Sequence, residues 1–350
     1  MTPRGTDWSL AALVALLAVT GGLTALAGSA GAGWVFAAHG AGGFALAAVL
    51  AFKARRVRGR LLDPRRWTGQ ARGGILAAAL VVATLASGWL WSSGAVLRGG
   101  GYNLLNLHVV LGLALALGVL GHVLLRARRP RRADVTDRRQ FLTAAAVAGG
   151  SLLAWQLQRP VQRALGWRGA ERRFTGSYET AGAEGNAFPE TSWVADHPRP
   201  IARGYRLAVT GDVERPLGLT AAELDRGDVL RATLDCTGGF FAEREWQGTS
   251  LAALLGRAGA RGGHVRVISH TGYRWSFTAE QARRCLLATR VGGEPLSHGH
   301  GAPARLVAPG RRGFQWVKWV TRIEVHDGPD LGAPASTVWS SLTPEGRGAA

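Results

Sequence analysis

The chain has 350 residues, room for two domains, and 42 Lys and Arg against 23 Asp and Glu give a formal net charge of +19. That charge does not read as a nucleic-acid surface, because residues 1–140 hold 17 basic and 4 acidic side chains gathered mostly into two loops between apolar runs, where membrane topology accounts for them. Two cysteines, Cys236 and Cys285, exclude a disulfide framework, and only two of the cations are lysines, Lys53 and Lys318.

Four apolar runs, 10–27, 34–52, 75–91 and 104–125, are long enough or nearly so to cross a bilayer, which needs about 20 helical residues. The loop 53–72 carries eight basic residues and one acidic, and the loop 126–139 seven and two. The positive-inside rule puts both loops and the N-terminus in the cytoplasm, and the short links 28–33 and 92–103 outside. Domain 1–133 is therefore expected to be a four-helix membrane bundle.

Ionisable side chains are expensive within such helices and tend to mark function. Three histidines stand there: His39, His108 and His122. His108 and His122 are separated by 14 residues, a net turn of about 40° and roughly 21 Å along the axis, which places them on one face at opposite depths. His39 and His108 both lie four or five residues inside the outer ends of their helices and can meet at one level, the arrangement that holds a haem b iron between two helices. His122 has no such partner in the first 140 residues, and is either a ligand of a second haem site or a hydrogen-bonding group. The run resembles the four-helix cytochrome b membrane domains of formate dehydrogenase and cytochrome b561 type.

Residues 134–160 place Arg138 and Arg139 before Phe141, Leu142 and a small-residue apolar run, a pattern resembling a twin-arginine export signal. Eight Arg-Arg pairs occur in the chain, and this is the pair followed by x-Phe-Leu and an apolar helix. It is expected to remain as a fifth, anchoring helix that carries the rest of the chain outward. Residues 161–185 read as linker.

Beyond them, 205–210, 229–236, 264–269 and 305–308 read as strands, while 220–224, 250–258 and 278–285 read as helices, with Thr220 and Thr249 as caps and Cys285 inside the last helix. This is a mixed α+β domain over 186–334, followed by a tail from 335 expected to be disordered. Cys236 ends an alternating apolar run and is followed by Thr237, Gly238 and Gly239, so a strand delivers it to a tight turn. By its residues alone it is either a small core cysteine or a soft ligand for a metal centre.

Three segments, GNAFPE at 185–190, LDCTGG at 234–239 with Trp246 and Gly248, and HGAPARL to VKW at 300–319, stand in the order found in the sulfite oxidase superfamily of molybdopterin enzymes, which this part of the chain resembles. The resemblance implies a sulfite-oxidase-type fold and a molybdenum atom held by the pterin dithiolene and by Cys236. It also implies cofactor binding by Asn186, Glu190, Thr271, His300, Arg305, Trp316, Val317 and Lys318; His300 stands where some relatives have asparagine. Arg305 matches phosphate oxygens best, because its planar fork donates in pairs. Tyr273 and Arg274, close after Thr271, either line the approach to the metal as catalytic residues or form a strand end with one exposed arginine.

The expectation is thus a membrane-anchored molybdenum-molybdopterin oxidoreductase outside the cytoplasm. It would carry out two-electron oxygen-atom transfer on a small molecule, with haem b relaying electrons to or from the quinone pool or another carrier. The alternatives are an electron-transfer cytochrome with a docking domain, and a molybdoenzyme on a haem-free anchor.

Overall fold

Uncharged runs of Ala, Leu, Val and Gly can satisfy their backbone in lipid only as helices or closed barrels, and here they are helices: Pro3–Thr24, Gly33–Leu61, Gly69–Ser92 and Leu104–Arg126. All four are long and apolar enough to cross a membrane. The computed structural model describes residues 2–66, 68–99, 102–126, 138–180, 182, 184–191, 196, 198–201 and 204–342, in two units, Met1–Tyr178 and Glu179–Ala350. Most of the basic loop 126–139 lies outside the described residues.

In the first unit the second, third and fourth helices overrun the apolar stretches that mark them, while the first starts earlier than 10–27 and ends three residues short of it. Thr2 caps the first, accepting from the Gly5 N–H at 3.0 Å, with Pro3 at the first helical position, where its missing N–H costs nothing. Val14, Leu46, Val81 and Leu115, one from each helix, are buried together, while most other apolar side chains face outward. A fifth helix spans Arg138–Ala164, four residues beyond its expected end and through Pro160, and Trp155 on it lies where a side chain at Gly40 would have to be. The expected linker also contains a 3₁₀ turn at Arg168–Glu171.

The second unit is built from two sheets. In one, Asp228–Asp235 pairs antiparallel with Phe240–Ser250, which pairs with Leu286–Val291, and that strand in turn pairs with Glu294–Pro295 and Arg305–Val307. The other has the order Leu217–Thr220, Arg206–Gly211, Val320–His326, His264–Ser269, Arg274–Thr278, antiparallel except where Val320–His326 meets Arg206–Gly211. Leu207, Val209, Val265, Val267 and Ile323 bury the inward face of this second sheet. Leu251, Leu254, Leu255 and Ala258 do the same for the helix Leu251–Ala258, each large side chain contributing about 1.5–3 kcal/mol.

Several expectations need correction. The cap of helix Leu251–Ala258 is Ser250, whose hydroxyl accepts from the Ala253 N–H at 3.1 Å; Thr249 is fully buried and donates to the Leu224 carbonyl. Thr220 does cap its helix, in a reciprocal box with Glu223. Cys285 lies after the helix Ala279–Arg283, at the start of a strand. The tail is ordered through Leu342, because Ser336 is buried and its hydroxyl donates to the Arg274 carbonyl at 3.1 Å; residues 343–350 lie outside the described residues.

The hairpin that ends in Asp235 and Cys236 is tied to the turn after residue 310 by a buried ion pair. Arg312 Nη1 donates to Asp235 Oδ1 at 2.5 Å and Nη2 to the Cys236 carbonyl at 3.2 Å, with both side chains at most 5% exposed. Gly313 seats this turn, since a Cβ there would be 3.1 Å from Cys236 Cα. Removing one partner of such a pair strands a buried charge, at about 3–5 kcal/mol. Arg312→Leu should therefore lower the melting temperature of this unit by roughly 10 °C in differential scanning calorimetry, whereas Arg231→Leu, from an exposed pair with Glu243, should leave it nearly unchanged.

Candidate active site

Strand alternation puts Ala232 and Leu234 into the core and delivers Cys236 at the strand's end. The Cys236 N–H donates to the Phe240 carbonyl at 2.8 Å and the Gly239 N–H donates back to the Cys236 carbonyl at 3.0 Å, which closes the turn. Gly239 has φ 91°, a region that favours glycine. Within this turn the Gly238 N–H points at the Cys236 sulfur, 3.3 Å away, and Thr191 Oγ1 lies 3.5 Å from it. This sulfur is the soft donor that suits a thiophilic metal. Cys285 contrasts with it: burial pushes its thiol up to about 12, and its sulfur faces the Gln281 carbonyl.

Two buried cations stand beside this sulfur. Arg305 is 3% exposed, sits 5.5 and 5.8 Å from the ring centres of Trp246 and Trp316, and donates through Nη1 to the His300 carbonyl at 3.0 Å. Its Nε–H has no partner among the described residues. Burial lowers its guanidinium to about 10, and Cys236 works in the opposite direction. Lys318 Nζ donates to the carbonyls of Thr191 and Gly299 at 2.6 and 2.5 Å. Burial first, then Arg305, brings Lys318 down to about 7, against the pull of Glu190, Cys236 and Asp196. Gly301, at φ 111°, lets the two approach: a Cβ there would be 3.1 Å from Lys318 Cβ and 3.2 Å from Arg305 Cβ.

His300 completes this group in its neutral form, since burial, then Arg305, lowers it to about 4. Its Nε2–H donates to the Phe188 carbonyl at 3.0 Å and its Nδ1 faces Ser297 Oγ at 2.8 Å. Glu190 Oε1 accepts from the Ser297 hydroxyl at 3.2 Å. Asn186 holds the same loop by accepting from the Ser297 N–H at 2.9 Å and donating to the Pro295 carbonyl at 3.0 Å. Trp316 and Val317 are fully buried, with the Val317 carbonyl accepting from the Leu306 N–H.

Thr271 is buried on the Ser269–Tyr273 turn. Tyr273 donates its hydroxyl to the Phe314 carbonyl at 2.5 Å. Arg274 turns to Asp330, Nε to Oδ2 at 2.6 Å, and its backbone N–H donates to Ser336 Oγ. The described contacts thus bring Cys236, Arg305, Lys318, His300 and Glu190 together, and give Arg274 to the C-terminal segment. Thr191 and Arg312 escaped the sequence reading. Thr191 is one residue past a motif and matters partly through its carbonyl, while Arg312 is one of a pair in an arginine-rich chain; burial alone distinguishes it.

In the first unit, the imidazoles of His39 and His108 face each other edge to face with ring centroids 6.1 Å apart. A metal–imidazole bond is about 2.0 Å, so two imidazoles on opposite sides of one ion have centroids roughly 6 Å apart. His108 Nδ1–H donates to the Thr84 carbonyl at 2.9 Å. Thr20 Oγ1 donates to the Leu16 carbonyl at 2.7 Å and therefore accepts from His39 Nδ1–H at 3.0 Å. Both rings keep Nε2 as the bare nitrogen, the tautomer a metal requires. Gly21 and Gly88 make room: a Cβ would be 3.2 Å from His39 Cε1 and 2.7 Å from His108 Cε1. His122 is exposed and does not join this pair.

Residues 194–333 match the family model for the oxidoreductase molybdopterin binding domain, a span that contains every implied cofactor position except Asn186 and Glu190. The chain is 28% identical over 192 residues to the protein-methionine-sulfoxide reductase catalytic subunit MsrP of Gluconobacter oxydans (strain 621H), covering 47% of this chain and 57% of that one. It is 30% identical over 177 residues to the nitrate reductase [NAD(P)H] of Hordeum vulgare, covering 40% of this chain and 19% of that one. Among solved structures, the sulfane dehydrogenase SoxCD from Paracoccus pantotrophus aligns at 30% identity and a TM-score of 0.36, covering 38% of this chain and 41% of that chain. The matched chains are therefore spanned only in part. Over the matched residues this chain holds a molybdopterin-binding oxidoreductase domain of the sulfite oxidase type.

Proposed function

We propose that the chain is a membrane-anchored molybdenum-cofactor oxidoreductase whose catalytic domain lies outside the cytoplasm and whose membrane helices carry a haem b. The observation that carries the enzyme reading is the thiol of Cys236 set against two buried cations with an unmatched guanidinium N–H. A buried cation without a counterion is costly, and an anionic, phosphate-bearing pterin with a thiophilic metal meets that requirement. Cys236 would ligate the metal, Arg305 would take the phosphate with its fork, and Lys318 would supply a second charge. When bound, the cofactor supplies two-electron oxygen-atom transfer. The protein's part is to hold the sulfur through Gly238 and Arg312 and to seat the cofactor through the 297–301 and 316–318 segments.

The substrate is a small molecule of sulfite or sulfoxide type. Of the relatives above, two are named reductases and the third a dehydrogenase, so both directions of transfer are represented among them. Electrons would pass through a haem held by His39 and His108, a reading supported by ring centroids at ligand spacing and by Nδ1 atoms already engaged elsewhere, and would be exchanged with quinone or another membrane carrier. The basic loops 53–72 and 126–139 support a cytoplasmic N-terminus, and the helix beginning at Arg138 and Arg139 supports an anchored twin-arginine route outward.

Metal analysis of the purified protein should find about one molybdenum per chain, and Cys236→Ser should lower molybdenum-dependent turnover by roughly a hundredfold or more, since loss even of an outer-shell partner costs 10–100-fold. A variant that keeps full turnover would sink the assignment of Cys236. The reduced-minus-oxidised spectrum should show a b-type band that His108→Ala abolishes and His122→Ala preserves. A wild type with molybdenum but without this band would instead be a molybdoenzyme on a haem-free anchor.

Lys318 gives a pH signature. Its folded value near 7 lies below its ordinary value of 10.5, so between them the unfolded chain binds the extra proton and stability rises with pH. Cofactor-free protein should therefore gain stability from pH 7 towards 10 in denaturant titrations, relative to Lys318→Met. Loading the anionic cofactor should flatten that difference by raising Lys318 back towards its ordinary range.

A further inference from the structure

The first unit contains a buried arginine that none of the above uses. Arg172 is 5% exposed, its guanidinium carbon sits 4.0 Å from the centre of the Trp91 ring and 5.8 Å from that of Tyr178, and Nη1 donates to the Gly176 carbonyl at 2.8 Å. Among the described residues its Nε–H has no partner and no carboxylate lies within ion-pair distance of it. Burial lowers its guanidinium to about 10, with Tyr178 as the one opposing group. Ring faces recover about 2 kcal/mol or more for a desolvated cation, which is less than a buried unpaired charge costs. A polar atom left buried and unmatched in such a place points to a group that comes from outside the chain.

The surroundings say which group. Trp91 follows Gly88 by three residues, a rise of about 4.5 Å, and Gly88 is the position that makes room for the His108 ring. Phe36 precedes His39 by three residues and meets Phe174, two residues after Arg172, edge to face at 5.7 Å. The segment that carries the arginine is fastened to the end of the third helix by the Gly169 N–H, which donates to the Ser93 carbonyl at 3.2 Å, and by Gln162, which donates to the Ser92 carbonyl at 3.2 Å. Arg159 fastens it from the fifth helix by donating to the Arg172 carbonyl at 2.5 Å. Arg172 is thus held about one helical turn outward of the imidazole pair, on the side of the helix ends. The carboxylates of a b-type porphyrin stand together at one edge of the macrocycle, and a haem ligated by His39 and His108 with that edge outward would bring them to this level.

We propose that Arg172 is an oxyanion site that binds the carboxylate edge of the haem, a proposal that rests on the haem reading above. Its guanidinium then gains the counterion the chain does not provide, and its charge stabilises the electron added on reduction of the iron.

The test uses the purified full-length protein with its cofactors, as wild type, Arg172→Leu, Arg172→Gln, Arg172→Lys and, as a control for charge alone, Arg168→Leu at an exposed position of the same segment. Haem content, haem midpoint potential and bound phospholipid phosphorus are measured on each. Arg172→Leu and Arg172→Gln should shift the ferric–ferrous equilibrium towards ferric by about tenfold, which is about 59 mV for one electron, with reduced haem retention. Arg172→Lys should keep most of the wild-type potential, and Arg168→Leu all of it. The glutamine variant retains a donor for Gly176 and carries the test if the leucine variant does not fold. Haem present at full level with an unchanged potential in the glutamine variant would overturn the proposal while leaving the haem in place. Loss of a phospholipid with unchanged haem would give the site to a lipid phosphate and overturn the porphyrin assignment. A wild type without haem would remove the reading on which the proposal stands.

Discussion

A cation buried without a carboxylate is an unfinished electrostatic arrangement, because desolvation is paid in full and the Coulombic return is missing. Around Cys236 this constraint organises the domain: Arg305 and Lys318 are lowered by burial, and the carboxylates of Glu190 and Asp196 pull on Lys318 without forming an ion pair with either cation among the described residues. Aromatic faces, carbonyl oxygens and one thiol hold the cations meanwhile. Each is a weak acceptor compared with a carboxylate, so the group keeps its appetite for an anion.

Rigidity of the site comes from a different interaction. The Arg312–Asp235 pair is also buried, but it is closed on itself and spans the hairpin and the turn that precedes Trp316. One ion pair therefore fixes the backbone of the sulfur donor, while the cations left open handle recognition. Separating these two tasks matters because a charge already satisfied cannot also attract a ligand.

Much of this was legible from residue order, and the gaps have physical causes. Cys236 stood out because alternation delivers a thiol to a glycine turn, and the helix caps at Thr220 and the apolar helices followed from local rules. The longest strand, Phe240–Ser250, escaped because its inward face carries Arg244, whose guanidinium donates to the carbonyls of Gly182 and Ala187, so that a buried charge disguised the alternation. Arg274 was a candidate by proximity in sequence to Thr271; its guanidinium is held by Asp330 and its backbone by Ser336, contacts that lie far from it in the chain. The imidazole pair was readable from helix depth; the Thr20 hydroxyl and the Thr84 carbonyl that meet the two Nδ1 atoms were not, since nothing in a sequence marks which hydroxyl or carbonyl faces which ring.

The two glycines of the loop that follows His298 differ in what they permit. A side chain at Gly299 would meet the Glu190 carboxylate, a flexible group that can swing aside and give up its bond to Ser297. A side chain at Gly301 would face both the left-handed backbone and the close approach of Lys318 to Arg305. Drift through descent therefore has one soft gate and one hard one within three residues: a lineage could pass through position 299 by retuning the rim of the site, whereas a change at 301 would push the two charges apart and dismantle the feature that attracts the cofactor.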